Sequence, residues 1–184
     1  MGHKNDRMFN FVLRKASKVV VLANVIKDLM KEHYNIDAEV LYNPIEEQKK
    51  RDASKIEKSI FFAAYLTLNK GYDTLLRAFK DVSTKHPDWK LILAGSGETE
   101  NARKLISELG IEKNVEQHLW LNKEQMSEFY RKVSIYCIAS KQEGFPMSFL
   151  EAGSYGIPIV TTPVGGLVDI IENEKNCMVF DYGN

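Results

Sequence analysis

A net charge is the first thing this sequence lacks. Its 184 residues carry 25 basic and 25 acidic side chains, which leaves no electrostatic case for nucleic acid or an anionic membrane as a partner. Cysteine is scarce. Cys137 and Cys177 are the two present, both inside apolar strand-like runs, and they predict buried, reduced thiols and a cytoplasmic location. No apolar run approaches the roughly 20 residues of a membrane span, and the start lacks the polar-then-apolar layout of a signal peptide. The four histidines, His3, His33, His86 and His118, are scattered without metal-ligand spacing, so no metal is expected. No Ser-His-Asp or Cys-His arrangement can be drawn from them. Internal repeats and low-complexity tracts are also missing.

What is present is 44% apolar residues, enough for a core in one or two small domains. Met8, Phe9, Val12 and Leu13 recur at helical spacing within Asn5 to Lys15. A strand follows at Lys18 to Ala23, a helix at Val25 to Tyr34, and a strand at Ala38 to Tyr42 that stops at Asn43-Pro44. Glu46 to Lys58 is polar without apolar period and reads as a solvated linker. Strand and helix then alternate regularly. Strands are expected at Ile60 to Ala64, Lys90 to Ala94, Val115 to Leu121, Ile135 to Ala139, Ile157 to Val160 and Met178 to Phe180. Helices are expected at Tyr72 to Thr84, at Asn101 to Leu109 stopped by Gly110, and at Lys123 to Arg131. This order predicts an α/β fold, a Rossmann-like doubly wound parallel sheet covered on both faces.

The chain is organised around Ser134 to Gly166, whose centre reads Glu143-Gly144-Phe145-Pro146-Met147-Ser148-Phe149-Leu150-Glu151. A strand precedes it and another follows. Pro146 stands where a first helical residue belongs, so a helix begins there, with its apolar face ending at Gly156. The backbone N–H groups of Met147, Ser148 and Phe149 then open a helix N-terminus, a site suited to phosphate. Glu151 lies one turn deeper on the same face. A carboxylate there suits the hydroxyls of a ribose better than a diphosphate. Glu143 sits at the carboxyl end of the strand, where open α/β sheets hold ligands.

The string from Ala139 to Val160, with its E-x7-E pair Glu143 and Glu151, followed by T-T-P-V-G-G and N-C-M-V-F-D, resembles the nucleotide-sugar-binding half of retaining GT-B glycosyltransferases of family four, group 1. The resemblance implies a division into two parts. Residues 1–43 would be a remnant of the amino-terminal domain and crossing segment, and residues 44–184 a nucleotide-sugar-binding domain truncated at its carboxyl end. It implies a nucleoside-diphosphate sugar as substrate, no cofactor, metal-independent transfer, and a missing amino-terminal domain that carries the acceptor site. Peripheral contact with a membrane would come through that missing domain.

Residue by residue, the resemblance puts Lys70, before Gly71, on the donor diphosphate and Glu143 on the sugar hydroxyls near the reacting carbon. Glu151 goes to the ribose, and Gly144, Phe145, Pro146, Met147 and Ser148 line the donor site. Gly95 and Gly97 form the family's G-x-G. As a dinucleotide fingerprint they fail, because position 100 is Glu; read alone they are a tight turn. Trp120 occupies the base-pocket loop, where packing in the core is its other reading. Gly165 and Gly166 offer amides to the sugar or phosphate, or simply make a turn, and Asp169 stands three residues after them where the family often has Glu. One element departs. The family's arginine in a G-R-L string is replaced in Ala64-Tyr65-Leu66, which weakens diphosphate binding unless another group substitutes. The rival reading is a binding or assembly module that kept the fold and lost transfer. A sugar donor held in half a cleft also implies that this chain alone does not turn over.

Overall fold

A computed structural model describes residues 5–183. Six strands, all parallel, form the main sheet: β3 (Glu57–Ala63), β4 (Lys90–Ala94), β5 (Val115–His118), β6 (Val133–Ile138), β7 (Ile159–Thr161) and β8 (Met178–Val179). Their order is β5-β4-β3-β6-β7-β8, so the direction of winding reverses between β3 and β6. Those two strands pair with Ile60 opposite Ile135 and Phe61 opposite Tyr136. A crevice opens outside their carboxyl ends, the place where doubly wound sheets bind ligands.

The continuous apolar runs of these strands follow from burial on both faces. Phe61 and Phe62 are adjacent, and both are buried in opposite cores. Phe61, Ile92, Tyr136 and Ile138 face one core together with Tyr130 of α5 (Lys123–Lys132) and Phe149 and Ala152 of α6 (Met147–Ser154). Phe62, Leu91, Leu93 and Cys137 face the other, with Leu75, Leu76 and Phe79 of α3 (Tyr72–Lys85) and Leu105 and Ile106 of α4 (Thr99–Leu109). Helix α4 ends at Gly110, whose φ of 65° is the left-handed cap a glycine adopts without strain. Helix α5 begins with a reciprocal capping box between Asn122 and Gln125.

Residues before Pro44 form α1 (Asn5–Lys15), β1 (Val20–Val21), α2 (Asn24–Tyr34) and β2 (Glu39–Val40). The two short strands pair in parallel as a separate sheet over a small cluster of Val21, Met30 and Ala38. Both are shorter than the expected Lys18 to Ala23 and Ala38 to Tyr42, because each has one neighbour and ladder bonds end where that neighbour ends. The segment is not free of the main domain. Ala23 is fully buried, and a Cβ built on Gly166 would stand 2.8 Å from its side chain.

Three sequence expectations are corrected. The linker is not wholly solvated: Arg51 donates to the carbonyls of Val133, Tyr155 and Gly156, pinning it across the start of β6 and the end of α6. Burial lowers the Arg51 pKa from its ordinary value. A 3-10 turn at Ala53–Lys55 leads directly into β3, capped by the Asp52 carboxylate accepting from the Ser54 amide. Second, Pro146 is the cap and not the first helical residue, since its ψ of 105° is extended; α6 begins at Met147. Third, β5 stops at His118, three residues before the expected end, and β7 begins at Ile159, two residues late.

Candidate functional site

The loops after β3 and β6 meet over the crevice. Lys70 ends a 3-10 turn at Leu68–Lys70, and Gly71 follows at φ 72°. A side chain there would strike the Ala139 carbonyl at 1.9 Å, so glycine is what lets this loop lie against the end of β6. That approach is further tied by the Lys141 amide donating to the Asn69 carbonyl and the Asn69 amide group donating to that of Gln142.

Lys70 and Glu143 are thereby brought into one ion pair. The ammonium donates to both carboxylate oxygens, at 2.6 and 2.7 Å, with the two side chains only 27% and 15% exposed. Ser140, itself buried, donates to Glu143 Oε1 at 2.7 Å. The sequence reading gave the lysine and the glutamate separate ligand contacts; the geometry makes them one unit. Ser140 was missed, although a hydroxyl three residues before a loop carboxylate is a local signal. An ammonium has three N–H groups, so Lys70 can keep Glu143 and still offer a donor to an anion.

Together with Ser140, these two groups line a groove of about 300 Å³ whose other walls include Ala64, Tyr65, Tyr136, Pro146, Met147 and Ser148. The α6 N-terminus opens on it. Of the three amides expected to be free, that of Phe149 donates to the Pro146 carbonyl at 3.1 Å. Pro146 supplies no side-chain cap, and among the described residues no backbone partner outside the helix is found for the Met147 and Ser148 amides. Two amides, the helix dipole and Lys70 therefore converge on one space.

A second groove of about 210 Å³ continues past Ala63, Ala64 and Tyr65 and is lined by Gly95, Ser96, Trp120, Leu121 and Met126. Trp120 is 73% exposed there and is not a core residue. Tyr65, at the position of the family's arginine, is 63% exposed and stands on both grooves. Lys70 is the one cation in either lining.

Gly95 and Gly97 have their physical reason in the protein's own backbone. A Cβ on Gly95 would lie 1.7 Å from the Ala64 carbonyl oxygen, and one on Gly97 would lie 2.4 Å from that of Leu66. Here protein backbone approaches protein backbone, with the Leu66 amide donating to the Ser96 carbonyl at 2.7 Å. Gly95 still contributes to the groove wall; Gly97 does not. Gly165 and Gly166 likewise pack under the site. At φ 53°, Gly165 would carry a side chain into the Glu143 and Gly144 carbonyls, and Gly166 one into the Phe145 ring. The Gly166 amide is occupied, donating to the Gly144 carbonyl at 2.7 Å. This pair shapes the Glu143 to Phe145 loop from below, and Gly144 and Phe145 are held by it.

Glu151 is half-buried on α6 and lies outside both groove linings. Its Oε2 accepts from the Tyr130 hydroxyl at 2.9 Å. Asp169, at the end of the 3-10 turn Gly165–Asp169, accepts from the Asn24 amide at the start of α2 and from the Tyr42 hydroxyl at 3.1 Å. It serves the amino-terminal segment. The Tyr42 ring in turn lies 6.4 Å from the Phe145 ring, so the segment before Pro44 touches the site loop.

Comparison with known proteins gives a consistent result. Residues 44–184 match the family described as glycosyl transferases group 1. An uncharacterized glycosyltransferase of Haemophilus influenzae is 33% identical over 171 residues, 91% of this chain and 48% of that protein. The D-inositol 3-phosphate glycosyltransferase of Corynebacterium jeikeium is 32% identical over 67% of this chain and 32% of its own length. Among solved structures, Anabaena HepE in complex with UDP and glucose superposes with a TM-score of 0.87 at 19% identity, over 100% of this chain and 55% of that one. Staphylococcus aureus TarM superposes at 0.87 and 20% identity, over 98% and 36%. The chain spans about half the length of the Haemophilus relative, and less of several others.

Proposed function

This chain belongs to the group 1 glycosyl transferases and has their GT-B-type fold, and from that premise we propose that it is the half that binds a nucleoside-diphosphate sugar for retaining hexosyl transfer to an acceptor. The observation that carries the proposal is the convergence of the α6 N-terminus and Lys70 on the groove beside Glu143. A diphosphate seated there receives the Met147 and Ser148 amides and one Lys70 N–H. As the glycosidic bond breaks, negative charge grows on the leaving diphosphate, and these fixed donors stabilise it without reorganisation. Glu143, oriented by Lys70 and Ser140, accepts from sugar hydroxyls at the same place. The apolar groove at Trp120 takes the base, and Glu151 the ribose. The sequence likeness to a D-inositol 3-phosphate glycosyltransferase supports sugar transfer as the activity of the whole protein, with the acceptor site on a domain outside this chain.

Isothermal titration with UDP, GDP and ADP, followed by amide chemical shifts, tests the reading. Binding of at least one, with the shifts concentrated at Lys70, Ser96 and Met147 to Glu151, is the expected result. Shifts spread elsewhere, or no binding by any of the three, would defeat it. A specific observation also favours a module that has lost transfer: Tyr65 replaces a cation, and the one cation left is already paired. Donor binding without transfer by the full-length protein would decide for that module.

A further inference from the structure

We infer that Tyr130 is the positioning residue for Glu151, its phenol fixing one carboxylate oxygen so that the other alone faces a ligand's ribose. This rests on the donor-binding reading above. Tyr130 closes the last turn of α5 and is 3% exposed, wedged among Phe61, Tyr136 and Tyr155 with ring centroids 5.3 to 5.7 Å apart. Packing among these rings sets where the Tyr130 hydroxyl lies. A buried hydroxyl is costly unless bonded, and Glu151 Oε2 at 2.9 Å is the acceptor it has.

The other oxygen behaves differently. Among the described residues Glu151 Oε1 has no protein donor, yet it is not sealed away: the one buried side-chain oxygen or nitrogen without a partner is on Asp73. Glu151 thus has one oxygen bonded to Tyr130 and one that is neither bonded within the described residues nor sealed. The adjoining Tyr136 is held in the same way, its hydroxyl donating to the Ala63 carbonyl at 3.2 Å while it lines the main groove. Without the Tyr130 hydroxyl, the carboxylate would be free to turn about its last side-chain bonds, and a ligand would have to order it.

The test compares nucleotides that do and do not carry the hydroxyls Glu151 would hold. Affinities for a nucleoside diphosphate and its 2′,3′-dideoxy analogue, with whichever of uracil, guanine or adenine binds best, are measured by calorimetry on the unsubstituted 184-residue chain, on Tyr130→Phe and on Glu151→Ala. The unsubstituted chain is expected to prefer the ribose form. Tyr130→Phe should reduce that preference on the order of three- to tenfold by weakening the ribose form alone, and Glu151→Ala should abolish it. The two affinities come from one preparation, so any unfolded fraction cancels in their ratio. A ribose preference unchanged in Tyr130→Phe but lost in Glu151→Ala would overturn this inference and leave the donor-binding reading intact. No binding of any nucleoside diphosphate by the unsubstituted chain would overturn both.

Discussion

Lys70 has one carboxylate partner and, in the proposed complex, two masters. Removing its ammonium takes away a charge-assisted contact to the diphosphate and leaves Glu143 half-buried with Ser140 as its remaining donor. Lys70→Ala is therefore expected to weaken nucleoside-diphosphate binding by about 1.5–3 kcal/mol. Calorimetry returning an unchanged affinity would leave the ion pair as a structural tie between two loops. The two glutamates should part company in the same assay. Glu151→Ala lowers affinity for nucleotide and nucleotide sugar alike, because the ribose is common to both. Glu143→Ala spares the plain nucleotide and weakens only the sugar-bearing donor. Equal losses toward the plain nucleotide would show that the division of roles is mistaken.

At the scale of elements, the site depends on loops held by other loops. The Glu143 to Phe145 loop rests on Gly165 and Gly166, and that turn ends in Asp169, which accepts from the first amide of α2. Ala23, the cap of α2, offers no side-chain acceptor, so Asp169 does by tertiary contact what a capping side chain does locally. Asp169→Ala is expected to cost about 1 kcal/mol of stability in urea unfolding, with faster amide exchange in the first turn of α2. Exchange that speeds up evenly through the chain would mean that the contact carries no local load. Because Tyr42 shares Asp169 and lies against Phe145, the same substitution is expected to shift the Phe145 ring resonances.

For the molecule as a whole, the two grooves lie open along one side of the switch between β3 and β6. Transfer requires donor and acceptor held together with water excluded, an advantage worth several powers of ten in rate. The described residues before Pro44 contribute two helices and a two-stranded sheet, too little to close such a cleft. The 184-residue chain is accordingly expected to bind donor and to release no nucleoside diphosphate in an acceptor-dependent way. Robust turnover by this chain alone, measured by coupled detection of released diphosphate, would require a complete active site within it.

The sequence alone determined the alternation of strands and helices, because short apolar runs such as Ile60 to Ala64 and Lys90 to Ala94 recur between stretches of helical apolar period, and such strands are buried here on both faces. It also determined the E-x7-E pair and the glycine before α3, since their spacing within one strand-loop-helix unit is local. Tertiary structure decided which groups meet. Lys70 and Glu143 are 73 residues apart and pair only because β3 and β6 are neighbours. The reason for Gly95, Gly97 and Gly165 lies in backbone from other loops, and that for Gly166 in the side chains of Phe145 and Ala23, all invisible to any local pattern. Arg51 looked solvated because its acceptors are backbone carbonyls, which leave no trace in side-chain composition. No local pattern marks the Tyr130 hydroxyl within the helix expected at Lys123 to Arg131; only packing beside α6 gave it a carboxylate to hold.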